Sequence, residues 1–354
     1  MNPLQSTYRI IDAANNRVGE GLRTIEECCR FVLDHADLTS RLKHWRHEFA
    51  SAMEQLPRES MLRARDSDGD VGSSLSGSNE YQRDGHAAVV IAASERVRQS
   101  LRVLEEYGKT IDTVFAKNIE SLRYESYDLM RDVELAVMFK PRRDRLGEAR
   151  LYALIDCKAS EDEWQRNLRQ LADAGVDVFQ LRDKQASDRQ LYQRAVSGSR
   201  LAAELGVLFI VNDRVDLALA SDADGVHLGQ SELPITSARS LLGDGRLIGI
   251  STHTIEQVHA AINEGADYIG CGPTFPSRTK SFSSHAGVQF LKDVHEQTRA
   301  TPRPAFAIGG IDLSNVPTVL DAGFHRIAVT AAIQDATNPF EAAKALKKAL
   351  MRNA

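Results

Sequence analysis

From about residue 150 onward, eight short apolar runs recur, each followed by a helical stretch or a gap of helix size. The runs are LYALID (151–156), VFQLRD (178–183), LFIVND (208–213), GVHLG (225–229), LIGIS (247–251), YIGCG (268–272), AFAIGG (305–310) and RIAVT (326–330). Amphipathic spacing fills intervals such as 161–174, 188–205, 254–264 and 339–352. Strands alternating with helices in this way build parallel sheets, and eight βα units in roughly 200 residues is the arithmetic of a closed barrel. Parallel strands buried on both faces read as near-continuous apolar runs, as these do. The expected fold class is therefore α/β, a (β/α)8 TIM barrel. An open doubly wound sheet shares the periodicity and is the alternative.

The first 140 residues follow a different rhythm. Apolar side chains recur every three or four positions at Ile11, Ala14, Val18, Leu22, Ile25, Cys29 and Val32, which gives a helix one buried face. The rhythm returns at Val90, Ala93, Val97, Leu101, Leu104 and Ile111. AANNRVGEGLRTIEE (13–27) and AASERVRQSLRVLEE (92–106) also share Arg17/Arg96, Leu22/Leu101, Arg23/Arg102, Glu26/Glu105 and Glu27/Glu106. This is the signature of an internally duplicated helix. Between the copies, residues 63–84 are rich in Gly, Ser and Asp and read as a loop. A third helix is expected over 117–138. The expected organisation is an all-helical domain over 1–140, a charged, Pro-containing linker over 141–150, and the barrel over 151–354.

Composition narrows the classes of function. With 354 residues, the chain has room for two domains. A net charge of −5 gives no electrostatic reason to expect a nucleic acid or an acidic membrane as partner. No apolar run approaches the roughly 20 residues that span a bilayer. The N-terminal stretch lacks the basic-then-apolar signal pattern. Cys28, Cys29, Cys157 and Cys271 have neither CxxC spacing nor a disulfide framework, so reduced thiols in a cytoplasmic protein are expected. Walker A and GxGxxG motifs are absent from the sequence.

Barrels of this kind place their chemistry at the C-terminal strand ends, and the polar residues cluster there. The second run ends in Gln180-Leu181-Arg182-Asp183-Lys184, the third in Asn212-Asp213, and the fourth leads to His227, Gln230 and Glu232. The fifth ends in Ser251-Thr252-His253, and the sixth enters a loop holding Ser277, Arg278, Thr279 and Lys280. The seventh ends in Gly309-Gly310 and the eighth in Val329-Thr330. Arg182, Lys184 and Lys280 suit a polyanion. Asp213 and Glu232 suit Mg²⁺, which bridges carboxylates to diphosphate oxygens. The paired glycines and the hydroxyl after the last two runs match a backbone phosphate cradle. A metal–diphosphate site beside a monophosphate site implies a reaction that joins the two ligands as diphosphate leaves. His227 either orients a neighbouring carboxylate or fills space; His253 and Arg278 are expected to be peripheral.

These residues resemble the thiamine-phosphate synthase family in VFQLRDK, VNDRVDLALASDADGVHLGQSELP, GISTH, ADYIGCGPTFPSRTK, AIGGI and AVTAAI, in the family's order across 151–354. The resemblance implies condensation of hydroxymethylpyrimidine diphosphate with thiazole phosphate. It further implies that Gln180 and Asn212 contact the pyrimidine, and that Arg182, Lys184, Ser251 and Lys280 hold the diphosphate. By the same resemblance, Asp213 and Glu232 hold Mg²⁺. Ser277, Thr279, Gly310, Val329 and Thr330 serve the thiazole phosphate. Glu232 stands where the family commonly has Asp, Ser277 where it has Thr, and Thr330 where it has Ser. A related barrel without synthase activity, such as a thiazole tautomerase-like isomerase, is the rival; it has no need of a diphosphate–metal site. The first half, in RIIDAANNRVGEGLRTIEECCRFV, LKHWRHEF, RDSDGDVGS and ERVRQSLRVLEEYGK, resembles a helical domain linked to phosphorylation of hydroxymethylpyrimidine phosphate. There, Arg17, Arg23, Arg96 and Arg102 suit phosphates and Asp66, Asp68 and Asp70 suit a metal, but Arg23 and Glu26/Glu27 also have the spacing of surface salt bridges. A non-catalytic module for dimerisation or regulation is the competing reading. Oligomeric state is not legible.

Overall fold

The computed structural model describes residues 3–66, 82–276, 286–298 and 303–351. The chain divides into two compact units, Met1–Lys140 and Pro141–Ala354.

The first unit is helical: α1 (Pro3–Phe31), α2 (Ala36–Met53), α3 (Arg58–Ala64), α4 (Gly85–Gly108) and α5 (Thr113–Glu148), the last running past the boundary. The duplicated segments are α1 and α4, which pack against each other. Ile11, Ala14, Val18, Leu22, Ile25 and Cys29 are buried in one core with Val90, Ala93, Val97, Leu101 and Leu104. Val32 and Ile111 fall just past the helix ends and are partly buried against that core. The duplication carries a polar feature inward. Glu26 is buried and pairs with Arg46 of α2 at 3.2 Å, and its counterpart Glu105 is buried and pairs with Arg123 of α5 at 2.7 Å. The surface pairs that the spacing allows form in the second copy, where Arg102 meets Glu105 and Glu106 at 2.8 and 2.7 Å. In the first copy, Glu26 turns inward to Arg46 instead. Of the expected loop, residues 63–64 end α3, and Asp68 and Asp70 lie outside the described residues. Asp66 lies 3.6 Å from Arg9.

One boundary differs from expectation. In place of a helix over 117–138 and a linker over 141–150, α5 continues through Pro141 to Glu148. Proline inside a helix removes one backbone bond, but tertiary contacts beyond it outweigh that loss. Leu146 and Ala149 are buried in the barrel interior. Arg142 bonds Asp224 at 2.7 Å and the Gly245 carbonyl at 3.2 Å.

The second unit is the expected barrel. Its strands are β1 (Leu151–Ile155), β2 (Val178–Leu181), β3 (Leu208–Asn212), β4 (Gly225–Leu228), β5 (Leu247–Thr252), β6 (Tyr268–Cys271), β7 (Ala305–Ile308) and β8 (Ile327–Val329). All pair in parallel and in sequence order, and β8 returns to β1 with Ala153 opposite Val329, so the sheet closes. The open-sheet alternative is excluded. The intervening helices are α6 (Glu161–Asp173), α7 (Asp188–Leu205), α8 (Val215–Ala220), α9 (Ile235–Leu242), α10 (Ile255–Asn263), α11 (Gly287–Gln297), α12 (Val316–Asp321), α13 (Ala331–Gln334) and α14 (Pro339–Met351). Their starts follow capping rules. Ser160 and Thr254 accept from backbone N–H groups of α6 and α10, and Ser187 with Gln190 forms a capping box on α7.

Strand alternation sorts side chains into two cores. Ala153, Phe179, Phe209, Val226, Ile248, Ile269 and Ala307 face the helices. Tyr152, Leu154, Val178, Leu208, Ile210, Leu247, Tyr268, Phe306 and Ala328 fill the barrel interior. Gly249 is part of that fit, because a Cβ there would collide with the Tyr268 ring. β1, β3 and β5 are each tied near their N-terminal ends by an aspartate placed just before the next strand. Asp177 accepts from the Leu151 N–H at 2.9 Å, Asp224 from Phe209 and Asp267 from Ile248, both also at 2.9 Å. Each aspartate also meets a cation: Lys347, Arg142 and Arg239 respectively. Among the described residues no helix is long and apolar enough to cross a membrane.

Candidate active site

The polar strand ends meet at a cavity of about 650 Å³ at the C-terminal mouth of the barrel. Of the residues expected there, Gln180, Arg182, Lys184, Asn212, Asp213, Glu232, Ser251, Gly310, Val329 and Thr330 line it. Ser277, Thr279 and Lys280, with Arg278, lie outside the described residues. Alternation explains the convergence. Gln180, Asn212, His227 and Ser251 occupy the strand positions that face the barrel axis, the registers pairing Asn212 with His227 on β3 and β4.

One wall concentrates charge. Asn212 donates to the Asp213 carboxylate at 2.6 Å. Burial, and next the neighbouring Glu232 charge, push the Asp213 carboxyl above its ordinary value; the Asn212 bond, Arg182 and Lys184 pull the other way. The two interacting carboxylates form an all-oxygen donor pair of the kind a hard divalent cation takes. Among the described residues no cluster of three or more His, Cys, Asp or Glu is arranged to hold a metal, so further ligands would come from substrate oxygens and water. The opposite side of the mouth is backbone-rich. Gly310 has φ +63°, and a Cβ there would strike the Pro276 carbonyl, so the chain passes close only because the residue is glycine. Val329 buries its side chain among the helix-facing core, which leaves its backbone for the cavity.

The floor contains residues that the run-end reading missed. Tyr152, Tyr268 and Phe306 line the cavity, with Tyr152 and Phe306 rings edge-on at 5.3 Å. Their signal was present as inward-facing strand positions, but apolar runs do not reveal which core side chains border a ligand. His227 is buried and bonds Ser251 Oγ at 3.0 Å and the Tyr268 hydroxyl at 3.3 Å. Both ring nitrogens thus meet hydroxyls, and among the described residues no hydrogen bond joins the ring to a carboxylate. Burial pushes its pKa down to about 4, so the ring is neutral. His253, expected to be peripheral, lines the cavity, and its Nδ1 meets the Gly272 carbonyl. All four cysteines are free and buried.

Similarity to known proteins agrees with this geometry. Residues 151–333 match a family model described as thiamine monophosphate synthase, and residues 9–132 match the ThiD2 family. The thiamine-phosphate synthase of Rhodopirellula baltica is 48% identical over 351 residues, covering 98% of this chain and 94% of that protein. That of a Synechococcus strain is 41% identical over 349 residues, covering 97% and 96%. Among solved structures, the thiamine phosphate pyrophosphorylase from Pyrococcus furiosus is 34% identical with a TM-score of 0.51, covering 59% of this chain and 96% of that one. Matched along nearly its whole length by synthases, and carrying their motifs at a closed barrel's mouth, this chain belongs to the thiamine-phosphate synthase family and is a transferase of thiamine biosynthesis.

Proposed function

We propose that the barrel mouth binds hydroxymethylpyrimidine diphosphate with Mg²⁺ and joins its methylene carbon to the ring nitrogen of thiazole phosphate. The observation that carries this reading is the Asp213–Glu232 pair set beside Arg182 and Lys184 on one cavity wall. In this assignment Gln180 and Asn212 contact the pyrimidine. Arg182, Lys184, Ser251 and Lys280 hold the diphosphate oxygens and neutralise them as the carbon–oxygen bond breaks. Asp213 and Glu232 hold the metal, which when bound lowers the charge of the leaving group. Ser277, Thr279, Gly310, Val329 and Thr330 hold the thiazole phosphate so that its ring nitrogen faces the electron-poor methylene. Thiamine phosphate and diphosphate are the products. The chain's contribution is orientation and preorganised charge. An isomerase working on a thiazole phosphate has no use for such a charged wall. Chelation should abolish synthesis and Mg²⁺ restore it; turnover without a divalent metal would exclude the metal assignment. Lys280→Ala should cost on the order of 3 kcal/mol of transition-state stabilisation.

For residues 1–140 the proposed activity is phosphorylation of hydroxymethylpyrimidine phosphate, which makes the barrel's own substrate. The match of residues 9–132 to the ThiD2 family supports it. The test uses the full chain with Arg182→Ala and Lys184→Ala in the barrel, supplied with ATP and hydroxymethylpyrimidine phosphate. Accumulation of the diphosphate is expected. A folded chain that makes none would favour a non-catalytic helical module. A cytoplasmic location is part of the same proposal and suits four free thiols.

A further inference from the structure

Five buried or half-buried polar side chains form an unbroken path beneath the cavity. Gln180 Nε2 donates to the Tyr152 hydroxyl at 2.8 Å, and the Tyr152 and Tyr268 hydroxyls meet at 3.0 Å. The Tyr268 hydroxyl lies 3.3 Å from His227 Nδ1, and His227 Nε2 lies 3.0 Å from Ser251 Oγ. The two phenols and Gln180 are almost fully buried, so their polar atoms depend on one another rather than on bulk water.

Proton counting gives the path a direction. A phenol has one proton. Tyr152 accepts from Gln180, so its proton goes to the Tyr268 oxygen. The Tyr268 proton then goes to His227 Nδ1. The ring therefore carries its hydrogen on Nε2 and donates to Ser251. Gln180 Oε1 is left to accept, and the Ser251 proton is left to be given away. Turning the Gln180 amide over reverses every step: Tyr268 would donate toward Tyr152, His227 would carry its hydrogen on Nδ1, and Ser251 would spend its proton on Nε2. The end near Gln180 would then offer N–H, and Ser251 would offer only lone pairs.

We propose that Gln180, Tyr152, Tyr268, His227 and Ser251 form a one-way hydrogen-bond chain that couples selection of an amino-bearing heterocycle at Gln180 to donation to an anionic oxygen at Ser251. Tyr152, Tyr268 and His227 are positioning residues, and the inference rests on the roles proposed above for Gln180 and Ser251. A heterocycle with an oxo group in place of the amine requires the reversed amide, and the reversed chain presents lone pairs to the diphosphate. The two halves of one ligand are thus checked together. Such a device rejects an oxo analogue more strongly than a single contact, because a mismatch at one end leaves a polar group at the other end unpaired.

The experiment compares kcat/KM for the aminopyrimidine diphosphate with that for its oxo analogue in the full chain. Tyr268→Phe and Tyr152→Phe should each lower this ratio about tenfold, with the KM for thiazole phosphate unchanged. Phe306→Leu, which loosens packing against the same two rings, should slow both substrates alike and leave the ratio intact. An unchanged ratio in both tyrosine variants overturns the chain while leaving the Gln180 assignment standing, provided Gln180→Ala raises the KM for the aminopyrimidine. If Gln180→Ala leaves that KM unchanged, the assignment fails and the chain with it. Independently of any variant's folding, ¹⁵N chemical shifts of the wild-type imidazoles should show the Nε2–H form for His227. The Nδ1–H form would overturn the proposal.

Discussion

Asp213 shows how a single residue registers the chemistry of its surroundings. Its carboxyl is pushed up by burial and by Glu232, so its charge is less favourable here than in water and a further cation joining the pair would offset that. A group raised in this way takes up its proton at a higher pH than an ordinary aspartate does. Lowering the pH through its range should therefore weaken Mg²⁺ binding, because the proton and the metal compete for the same oxygens. Asp213→Asn should raise the thermal midpoint of the metal-free protein and abolish the upward shift that Mg²⁺ gives the wild type. Calorimetric scans with and without Mg²⁺ check both, and an undiminished metal shift in the variant would rule out Asp213 as a ligand. Arg182→Ala tests the cationic wall beside it. Losing one preorganised donor should lower kcat/KM on the order of 100- to 1000-fold, measured by steady-state synthesis of thiamine phosphate.

At the level of the element, the barrel is held at its closed end by aspartates that precede β2, β4 and β6. Each accepts from a backbone N–H of the strand before it and pairs with a cation. Asp224→Ala would leave the Phe209 N–H without that acceptor and Arg142 without its 2.7 Å contact. A cost of about 2 to 3 kcal/mol is expected in chemical denaturation. The helical unit has its own paired feature in Glu105, almost fully buried against Arg123. Burial alone would raise this carboxyl, but the bonds from Lys109 and Arg123 outweigh it and hold the group below its ordinary 4.5. A depressed folded value means the stabilisation is complete above the unfolded carboxyl's range and is lost as pH falls through the folded one. The helical unit should thus lose stability in acid, and Glu105→Gln should flatten that acid limb in melts followed across pH.

For the whole molecule, the eight-run rhythm was enough to predict eight strands, and the observed strands fall within those runs or a residue past them. The duplicated helix pair was equally legible, since α1 and α4 carry the same register of buried positions. The end of α5 was not. Pro141 and five charges in 140–145 read as a break, and only the barrel interior that receives Leu146 and the Asp224 that receives Arg142 make a helix favourable there. In the site, run ends pointed to the charged wall directly, because polar residues closing apolar strands are conspicuous. The floor was hidden for the opposite reason: Tyr152, Tyr268 and Phe306 look like any other core residue until the barrel closes around them.

The sequence by itself therefore determined the alternation of strand and helix, the duplication, and the chemical types collected at the strand ends. These are local properties, set by periodicity and by which side chains water tolerates. The tertiary structure alone decided closure of β8 onto β1, the meeting of Asp213 with Glu232, and the linking of Gln180 to Ser251 through two phenols and an imidazole. Those depend on distances between residues up to 176 positions apart, as Ala153 is from Val329, and only the closed sheet fixes such distances.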